Sequence, residues 1–280
     1  MFNDEFKDLP KRALTLEILE SSALGDMQRI VQAILDISKL GIKIAIDDFG
    51  TGHATLNYLK DLPVDIIKID QVFVRNIFLQ PNNVSILEAI ASMAEAFEME
   101  VIAEGVETQE HIKLLLQLGI EHMQGYGISH PIPEEEVLNW INTYQKPMAI
   151  AKTHKLNLNG RNFLKAKLYH YAWNKKVKEH ILDNGPLTRS ENSYESCPFG
   201  RWLQGKSGEI VNDKNLLSEI TNEHINVHQI AHKAELAYKQ NDLPMAKKYL
   251  EELDKQTDVI LQKLDKASHL SLDVANVDND

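Results

Sequence analysis

The sequence lacks the features that would place it in a membrane, in an oxidising compartment or on a nucleic acid. No apolar run approaches the roughly 20 residues of a membrane-spanning helix, and residues 1–6 do not resemble a secretory signal. The single cysteine excludes an intramolecular disulfide and leaves a metal-binding or reactive-thiol role open. The net charge of −11 argues against a nucleic-acid partner. We therefore predict a cytoplasmic protein with no nucleic-acid partner and no membrane span.

What the chain does contain is five short runs that are apolar and β-branched until they end in a charged or amide residue. These runs are residues 14–17, 42–48, 66–70, 101–105 and 122–126. This pattern is typical of parallel strands that are buried on both faces. Stretches such as 27–40 and 86–97 leave room for a helix between strands. The first half is therefore predicted to be an α/β fold, a partial TIM-type (β/α) barrel with functional side chains at the carboxyl ends of its strands.

The side chains at these strand ends indicate metal-dependent chemistry on a phosphate. Glu17, Asp47 and Asp48 are hard oxygen ligands, which suit Mg²⁺ or Mn²⁺. Neighbours in a strand point to opposite faces, so the two aspartates can share a metal only where the strand turns, and the two glycines that follow supply that turn. Lys68 is suited to neutralise charge on a phosphate, and Glu104 to act as a base for water or as a further ligand.

At these residues the chain resembles a known family, the EAL cyclic-di-GMP phosphodiesterases. The resemblance rests on residues 16–21, 47–52, 68–70, 103–107 and 124–126, which occur in the family's order and spacing between about 14 and 140. It implies a TIM-type barrel that uses two Mg²⁺ or Mn²⁺ ions to linearise cyclic-di-GMP to pGpG.

The resemblance also implies a role for each matching residue. Glu17, Asp47 and Asp48 resemble metal ligands, and Asp70 resembles a further residue of the metal centre. Lys68 resembles the catalytic lysine, and Glu104 the glutamate that activates water or binds metal. Glu107 and Gln124 resemble supporting groups of the pocket, and Glu20 the glutamate that tethers a substrate-binding loop at 48–56.

Two family features are missing from the sequence. The glutamate of the Glu-Ala-Leu motif and a second-strand asparagine, both metal ligands in the family, have no counterpart, because the similar string at 88–90 lies inside the helix predicted over 84–97. Sixteen residues precede Glu17, too few for two βα units of about 30 residues each. We therefore expect an EAL-type domain over 1–145 that is truncated at its N-terminus. A truncated gene product, a fragment and a domain completed by a partner all stay open.

The pattern changes after the barrel. Residues 146–161 are interpreted as a linker, and a helical bundle is predicted over 162–268, with helices at 163–184, 197–203, 215–240 and 244–268. The acidic tail at 269–280 is predicted to be disordered.

The bundle contains a second candidate metal site. His224 and His228 are one helical turn apart, and with His170 and Cys197 they form a set of three imidazoles and a thiolate that suits tetrahedral Zn²⁺. The order of these residues resembles the chemoreceptor zinc-binding (CZB) domain of cytoplasmic bacterial signalling proteins, over about 163–239. His180 and His232 are not needed by the pattern and are predicted to be solvated.

Two hypotheses follow. In one, the chain is a cyclic-di-GMP phosphodiesterase whose activity depends on zinc or on the oxidation of Cys197. In the other, it is an inactive binding or regulatory module coupled to a zinc sensor. An upstream sensory or GGDEF-type domain and a homodimer partner both stay open.

Overall fold

The computed structural model of the protein describes residues 13–20, 27–52, 59, 62–145, 147–183, 185, 193–205 and 210–277. The described residues fall into two compact units: the first lies within 13–77 and 82–155, and the second comprises Phe78–Pro81 and the residues from Leu156 onward.

The first unit alternates strands and helices, as the sequence predicts. Its strands are β1 (Thr15–Leu19), β2 (Lys43–Phe49), β3 (Ile66–Ile69), β4 (Glu100–Ala103) and β5 (His122–Met123). Its helices are α1 (Met27–Ser38), α2 (Gln71–Arg75), α3 (Asn82–Ala96), α4 (Gln109–Leu118), α5 (Glu134–Thr143) and α6 (Met148–Ala151). All five predicted strands are present, and each overlaps its predicted range.

The strands form one parallel sheet in the order β1-β2-β3-β4-β5. Leu16 pairs with Ile44, and Lys68 with Ile102, so the carboxyl ends of the strands lie along one edge of the sheet. All four residues of β3 are buried, which explains why three of them are isoleucines; the fourth is Lys68. Among the described residues, β1 pairs only with β2 and is largely exposed. The predicted partial (β/α) barrel is confirmed.

The turn that brings two neighbouring aspartates to one site lies inside β2. The register between β2 and β3 shifts between Ile46 and Phe49, and Asp48 has a φ of 56°, in the left-handed region that non-glycine residues seldom adopt. The sequence predicts this turn from the glycines after β2. The structure places it earlier, at Asp48 itself, with Gly50 at a φ of 100° continuing it.

The second unit is a helical bundle. Its helices are α7 (Leu158–Asp183), α8 (Pro198–Gln204), α9 (Lys214–Lys239) and α10 (Leu243–Val277). Buried side chains such as Phe163, Phe199 and Leu253 form its core. The amide nitrogen of Asn174 on α7 donates to Thr257 Oγ1 on α10 at 3.0 Å, so a buried polar bond joins these two helices. The predicted all-α second half is confirmed.

Two bounds differ from those predicted. The interpreted linker at 146–161 contains α6 and the first turn of α7. Helix α10 continues to Val277, into the segment predicted to be a disordered tail. After Pro244 the chain has no glycine or proline that would stop this helix. Within the described part of the chain, no helix is both long enough and apolar enough to cross a membrane.

Candidate metal sites

The first candidate site has a buried lysine at its centre. Lys68 on β3 places its Nζ 2.9 Å from Glu17 Oε1, 2.9 Å from Asp47 Oδ1 and 2.7 Å from Glu104 Oε1. These carboxylates come from β1, from β2 and from the residue after β4. The structure therefore brings together four of the side chains that the sequence places in one site. Burial alone would lower the pKa of Lys68, but its hydrogen bonds to Glu104, Glu17 and Asp47 raise that pKa above its ordinary value.

Acidic oxygens are crowded beside this lysine. Asp47, Asp48 and Glu104 each place a carboxylate oxygen within 4.8 Å of the others. Burial raises the pKa of Asp48, and a hydrogen bond with Asp70 and the negative charges of its neighbours raise it further. A hard divalent cation relieves this repulsion, so the donor set fits Mg²⁺ or Mn²⁺. Asp70 also caps α2, because its Oδ1 accepts a hydrogen bond from Val72 N at 2.6 Å.

Glu20 holds the start of the loop that follows β2. Its buried carboxylate accepts hydrogen bonds from Gly50 N at 2.8 Å and Gly52 N at 3.1 Å. A Cβ atom on Gly52 would lie 2.7 Å from Glu20 Oε1, so a side chain at this position would displace the Glu20 carboxylate. The geometry agrees with the tethering role that the resemblance implies. Residues 53–56 of the predicted loop lie outside the described part of the chain.

Glu107 and Gln124 are placed differently. The Glu107 carboxylate pairs with Arg75 Nε at 2.8 Å, and the Glu107 N–H donates to His111 Nδ1 at 3.2 Å. Burial lowers the pKa of His111, which keeps this nitrogen available as an acceptor. Gln124 is exposed, and its backbone N donates to Ala103 O at 2.9 Å. Sequence reasoning missed Arg75 and His111.

The second candidate site brings a thiol and two imidazoles into contact. Cys197 Sγ lies 3.3 Å from His224 Nε2, and His228 Nε2 lies 3.1 Å from the same nitrogen. Cys197 precedes α8, and its sulfur accepts a hydrogen bond from Gly200 N at 3.1 Å. All three predicted ligands are buried. Burial raises the pKa of the Cys197 thiol.

His170, the fourth predicted ligand, lies beside this set but outside the group whose ligand atoms are all within 4.8 Å of one another. Its ring is buried, and its centroid lies 5.9 Å from that of His224. Neither ring nitrogen has a hydrogen-bond partner among the described residues, although a buried nitrogen is costly to leave unpaired. Burial, with repulsion from His228, lowers the pKa of His170 to about 3 and that of His224 to about 2. Neutral imidazoles beside a thiol fit Zn²⁺.

Aromatic rings surround these ligands. The ring of Trp173 lies 4.2 Å from that of His228, and the ring of Phe199 lies 4.9 Å from that of His224. Sequence reasoning missed Phe199, which lies two residues after the cysteine.

Gly200 is constrained by the same cluster. A Cβ atom at this position would lie 1.9 Å from the backbone oxygen of Tyr194 and 3.3 Å from Cys197 Sγ. Any side chain at Gly200 would therefore displace the backbone that supports the thiol.

His180 and His232 lie outside this set. His232 is exposed, whereas His180 is partly buried and its Nδ1 lies 2.7 Å from Gly185 O. The prediction that His180 is solvated is therefore wrong in part, because its ring closes the C-terminal end of α7.

Comparison with known families matches each unit separately. Residues 2–131 match the model of the EAL domain, and residues 170–235 match the model of the chemoreceptor zinc-binding domain. Among solved structures, the EAL domain of Mycobacterium smegmatis DcpA is 36% identical, with a TM-score of 0.48 and coverage of 51% of this chain and 65% of that chain.

Curated relatives match the first half. The cyclic di-GMP phosphodiesterase PdeB of Shewanella oneidensis is 38% identical over 126 residues, which are 45% of this chain and 15% of PdeB. The cyclic di-GMP phosphodiesterase PdeR of Escherichia coli is 38% identical over 133 residues, which are 48% of this chain and 20% of PdeR. The chain thus spans a fifth or less of the length of these two relatives.

Proposed function

The chain carries an EAL domain followed by a chemoreceptor zinc-binding domain, and from this premise we propose that it is a cytoplasmic signalling protein that hydrolyses cyclic-di-GMP to pGpG under the control of zinc or of redox state. The observation that supports hydrolysis best is the lysine-centred cluster, in which carboxylates from three strand ends lie between 2.7 and 2.9 Å from Lys68 Nζ. The names of the relatives PdeB and PdeR supply the substrate.

In the proposed reaction, different residues of the first unit bind metal, stabilise charge on the phosphate and accept a proton. Two Mg²⁺ or Mn²⁺ ions would be held by Glu17, Asp47, Asp48 and Asp70. When bound, such ions supply Lewis-acid activation of water and of the phosphate. Lys68 donates to a phosphate oxygen on which charge develops, and Glu104 takes a proton from the attacking water. A phosphorus–oxygen ester bond breaks, and the proton passes to the leaving oxygen.

The second unit would report zinc. His170, Cys197, His224 and His228 would hold one Zn²⁺, and the metal would supply a bond to each of these otherwise crowded buried groups. Oxidation of Cys197 removes the thiolate and thereby weakens zinc binding. A change in zinc occupancy would then set the rate of hydrolysis in the first unit.

A second candidate is a module that binds cyclic-di-GMP without cleaving it. It is favoured by one observation: the 280 residues contain no counterpart of the family's Glu-Ala-Leu glutamate or of its asparagine ligand. A metal site that is short of two ligands loses both affinity and geometry. For these 280 residues by themselves, we therefore expect turnover well below about 1 s⁻¹.

Hydrolysis in the presence of Mn²⁺ separates the two candidates. Purified chain is mixed with cyclic-di-GMP, and pGpG is measured by chromatography, with and without an added upstream segment that bears a Glu-Ala-Leu motif and an asparagine. We expect slow product formation that the added segment accelerates and that Asp47→Asn abolishes. Asp36→Asn, on the exposed face of α1, is the matched control. Cyclic-di-GMP binding with no pGpG in either preparation supports the second candidate and contradicts the first.

A further inference from the structure

The four predicted zinc ligands are almost closed to solvent. His170 and Cys197 are 1% exposed, His224 is 2% exposed and His228 is 6% exposed. The rings of Trp173 and Phe199 cover further sides of the cluster. A hydrated ion therefore needs a defined path to these ligands.

A pocket of about 440 Å³ lies beside this cluster. Its walls come from one face of α9 between Ile225 and Lys233 and from Ser193 and Tyr194. His228 lines this pocket and is the only one of the four predicted ligands to do so. It is also the most exposed of the four. The open side of the zinc site is thus the side that His228 presents to this pocket.

A second imidazole stands in the same pocket. His232 follows His228 by one helical turn, so the two side chains share a face of α9. His232 is exposed, whereas His228 is buried. The pair therefore places one imidazole, His232, at the solvent side of the pocket and the other, His228, at the buried cluster.

We propose that this pocket is the route by which zinc enters and leaves, and that His232 is a transient ligand that passes the ion to His228. The inference rests on the zinc site proposed above. An ion held first by His232 is presented to His228 at a high effective concentration, and each step replaces a bound water or imidazole by the next imidazole. His232 changes how fast zinc exchanges, whereas the four buried ligands determine how tightly it binds.

Lys233 gives the proposal a second, opposite test. Lys233 lines the same pocket, and a positive charge on the route repels Zn²⁺. Removing Lys233 should therefore accelerate entry, while removing His232 should slow it. If the substitutions only loosened the fold, the rate of zinc entry would change in the same direction in both variants.

The experiment measures zinc exchange in the full chain. Zinc-free protein is mixed with ZnCl₂ in a stopped-flow instrument with a chromogenic chelator as reporter, and zinc release is followed after excess chelator is added. For His232→Ala we expect entry and release both to slow by about tenfold, because the effective concentration provided by the first ligand is lost. The equilibrium dissociation constant should stay within about twofold, since both rates fall together.

Lys233→Ala should raise the entry rate by about two- to threefold at low salt, and by less at high salt. His154→Ala removes an exposed imidazole from the other unit and is the matched control, expected to exchange as the parent does. Circular dichroism verifies that each variant keeps its helices.

The outcomes separate the proposals. Parental exchange rates in His232→Ala would overturn the route and leave the zinc site in place. Weakened affinity with faster release would also overturn it, because His232 would then be a resident ligand. A parent chain that binds no zinc would overturn both the route and the zinc site.

Discussion

At the carboxylate site a lysine stands among acidic side chains, whereas at the histidine–cysteine site neutral side chains stand among aromatic rings. Lys68 is buried, but it contacts Glu17, which is half exposed. His170, in contrast, is fully enclosed. The first site balances charge against charge, and the second avoids charge by burial, which lowers the pKa of His170 to about 3. Burial and ligand type together thus select hard cations at one site and a softer cation at the other.

This contrast also determines what each site does without metal. The carboxylates already have a cation partner in Lys68, so they keep their arrangement. The nitrogens of His170 have no hydrogen-bond partner among the described residues. We therefore expect metal to change stability far more in the second unit than in the first.

The largest expected effect is the loss of zinc from the second unit. The Cys197→Ala, His228→Ala double variant should retain no stoichiometric zinc in elemental analysis. Zinc at a thousandfold excess over its dissociation constant should stabilise the parent by about 4 kcal/mol and leave the variant unchanged. Urea unfolding with and without zinc measures this difference. A double variant that holds zinc as tightly as the parent would show that the site is misplaced.

Next in size is the effect of removing the cation from the carboxylate site. In whichever preparation hydrolyses cyclic-di-GMP, the chain alone or the chain with the added upstream segment, Lys68→Met should reduce Mn²⁺-dependent hydrolysis by about a hundredfold or more. The reason is that a donor which stabilises charge on the phosphate is lost. The same variant should bind Mn²⁺ more tightly in a calorimetric titration, since three carboxylates lose their competing partner. Lys39→Met, at an exposed ion pair on α1, should change neither quantity. Undiminished hydrolysis would exclude the assigned role.

The pH dependence of the zinc-free chain tests whether burial keeps the imidazoles neutral. The folded pKa values of His170, about 3, and His224, about 2, lie below the ordinary value of 6.5. The unfolded chain therefore binds more protons than the folded chain below about pH 6.5. As the pH is lowered from that value, the free energy of unfolding should fall by about 1.4 kcal/mol per pH unit for each imidazole. This loss should end near pH 3 for His170.

Urea unfolding at pH 7, 6 and 5 in the presence of a chelator measures how steeply the free energy of unfolding depends on pH. His170→Gln should reduce this slope by the contribution of one imidazole, about 1.4 kcal/mol per pH unit. His154→Gln, at an exposed position, is the control. An identical slope in parent and His170→Gln would mean that His170 is not held neutral by the fold.

The smallest expected effect is at Glu20. Glu20→Gln keeps the shape of the side chain but replaces two charge-assisted hydrogen bonds to Gly50 and Gly52, at a cost of about 1 kcal/mol. Faster hydrogen exchange of these two amides, against unchanged exchange in the exposed control Glu251→Gln, measures the loosened loop. Equal protection in parent and variant would remove the tethering role.

Local patterns in the sequence were enough to predict the strands and the ligand sets. The residues that reach the site lie near or just beyond the carboxyl ends of their strands, as Lys68 and Glu104 do, because buried parallel strands restrict polar side chains to those ends. The helical spacing of His224 and His228 predicted that their imidazoles share a face, and their Nε2 atoms lie 3.1 Å apart. Both inferences depend only on periods that are visible in a few residues.

Long-range contacts could not be predicted in this way. The ion pair between Arg75 and Glu107 joins the end of α2 to the segment that follows β4, and no local period marks it. The left-handed conformation of Asp48 was hidden because the glycines that follow are the usual residues for such a turn. The enclosure of His170 by Phe199 likewise depends on how α7 and α8 pack.

Gly200 leads to a rule for identifying such sites in other chains. Its backbone N–H supports the Cys197 sulfur, and a Cβ atom in its place would lie 1.9 Å from the Tyr194 carbonyl oxygen. The restriction concerns space rather than backbone torsion, so even alanine is excluded. Evolution can therefore replace the thiol by another ligand more easily than it can alter the third residue after it. A homologue that has lost the cysteine should therefore still have glycine at this position, because the Tyr194 carbonyl oxygen and not the thiol excludes a side chain there.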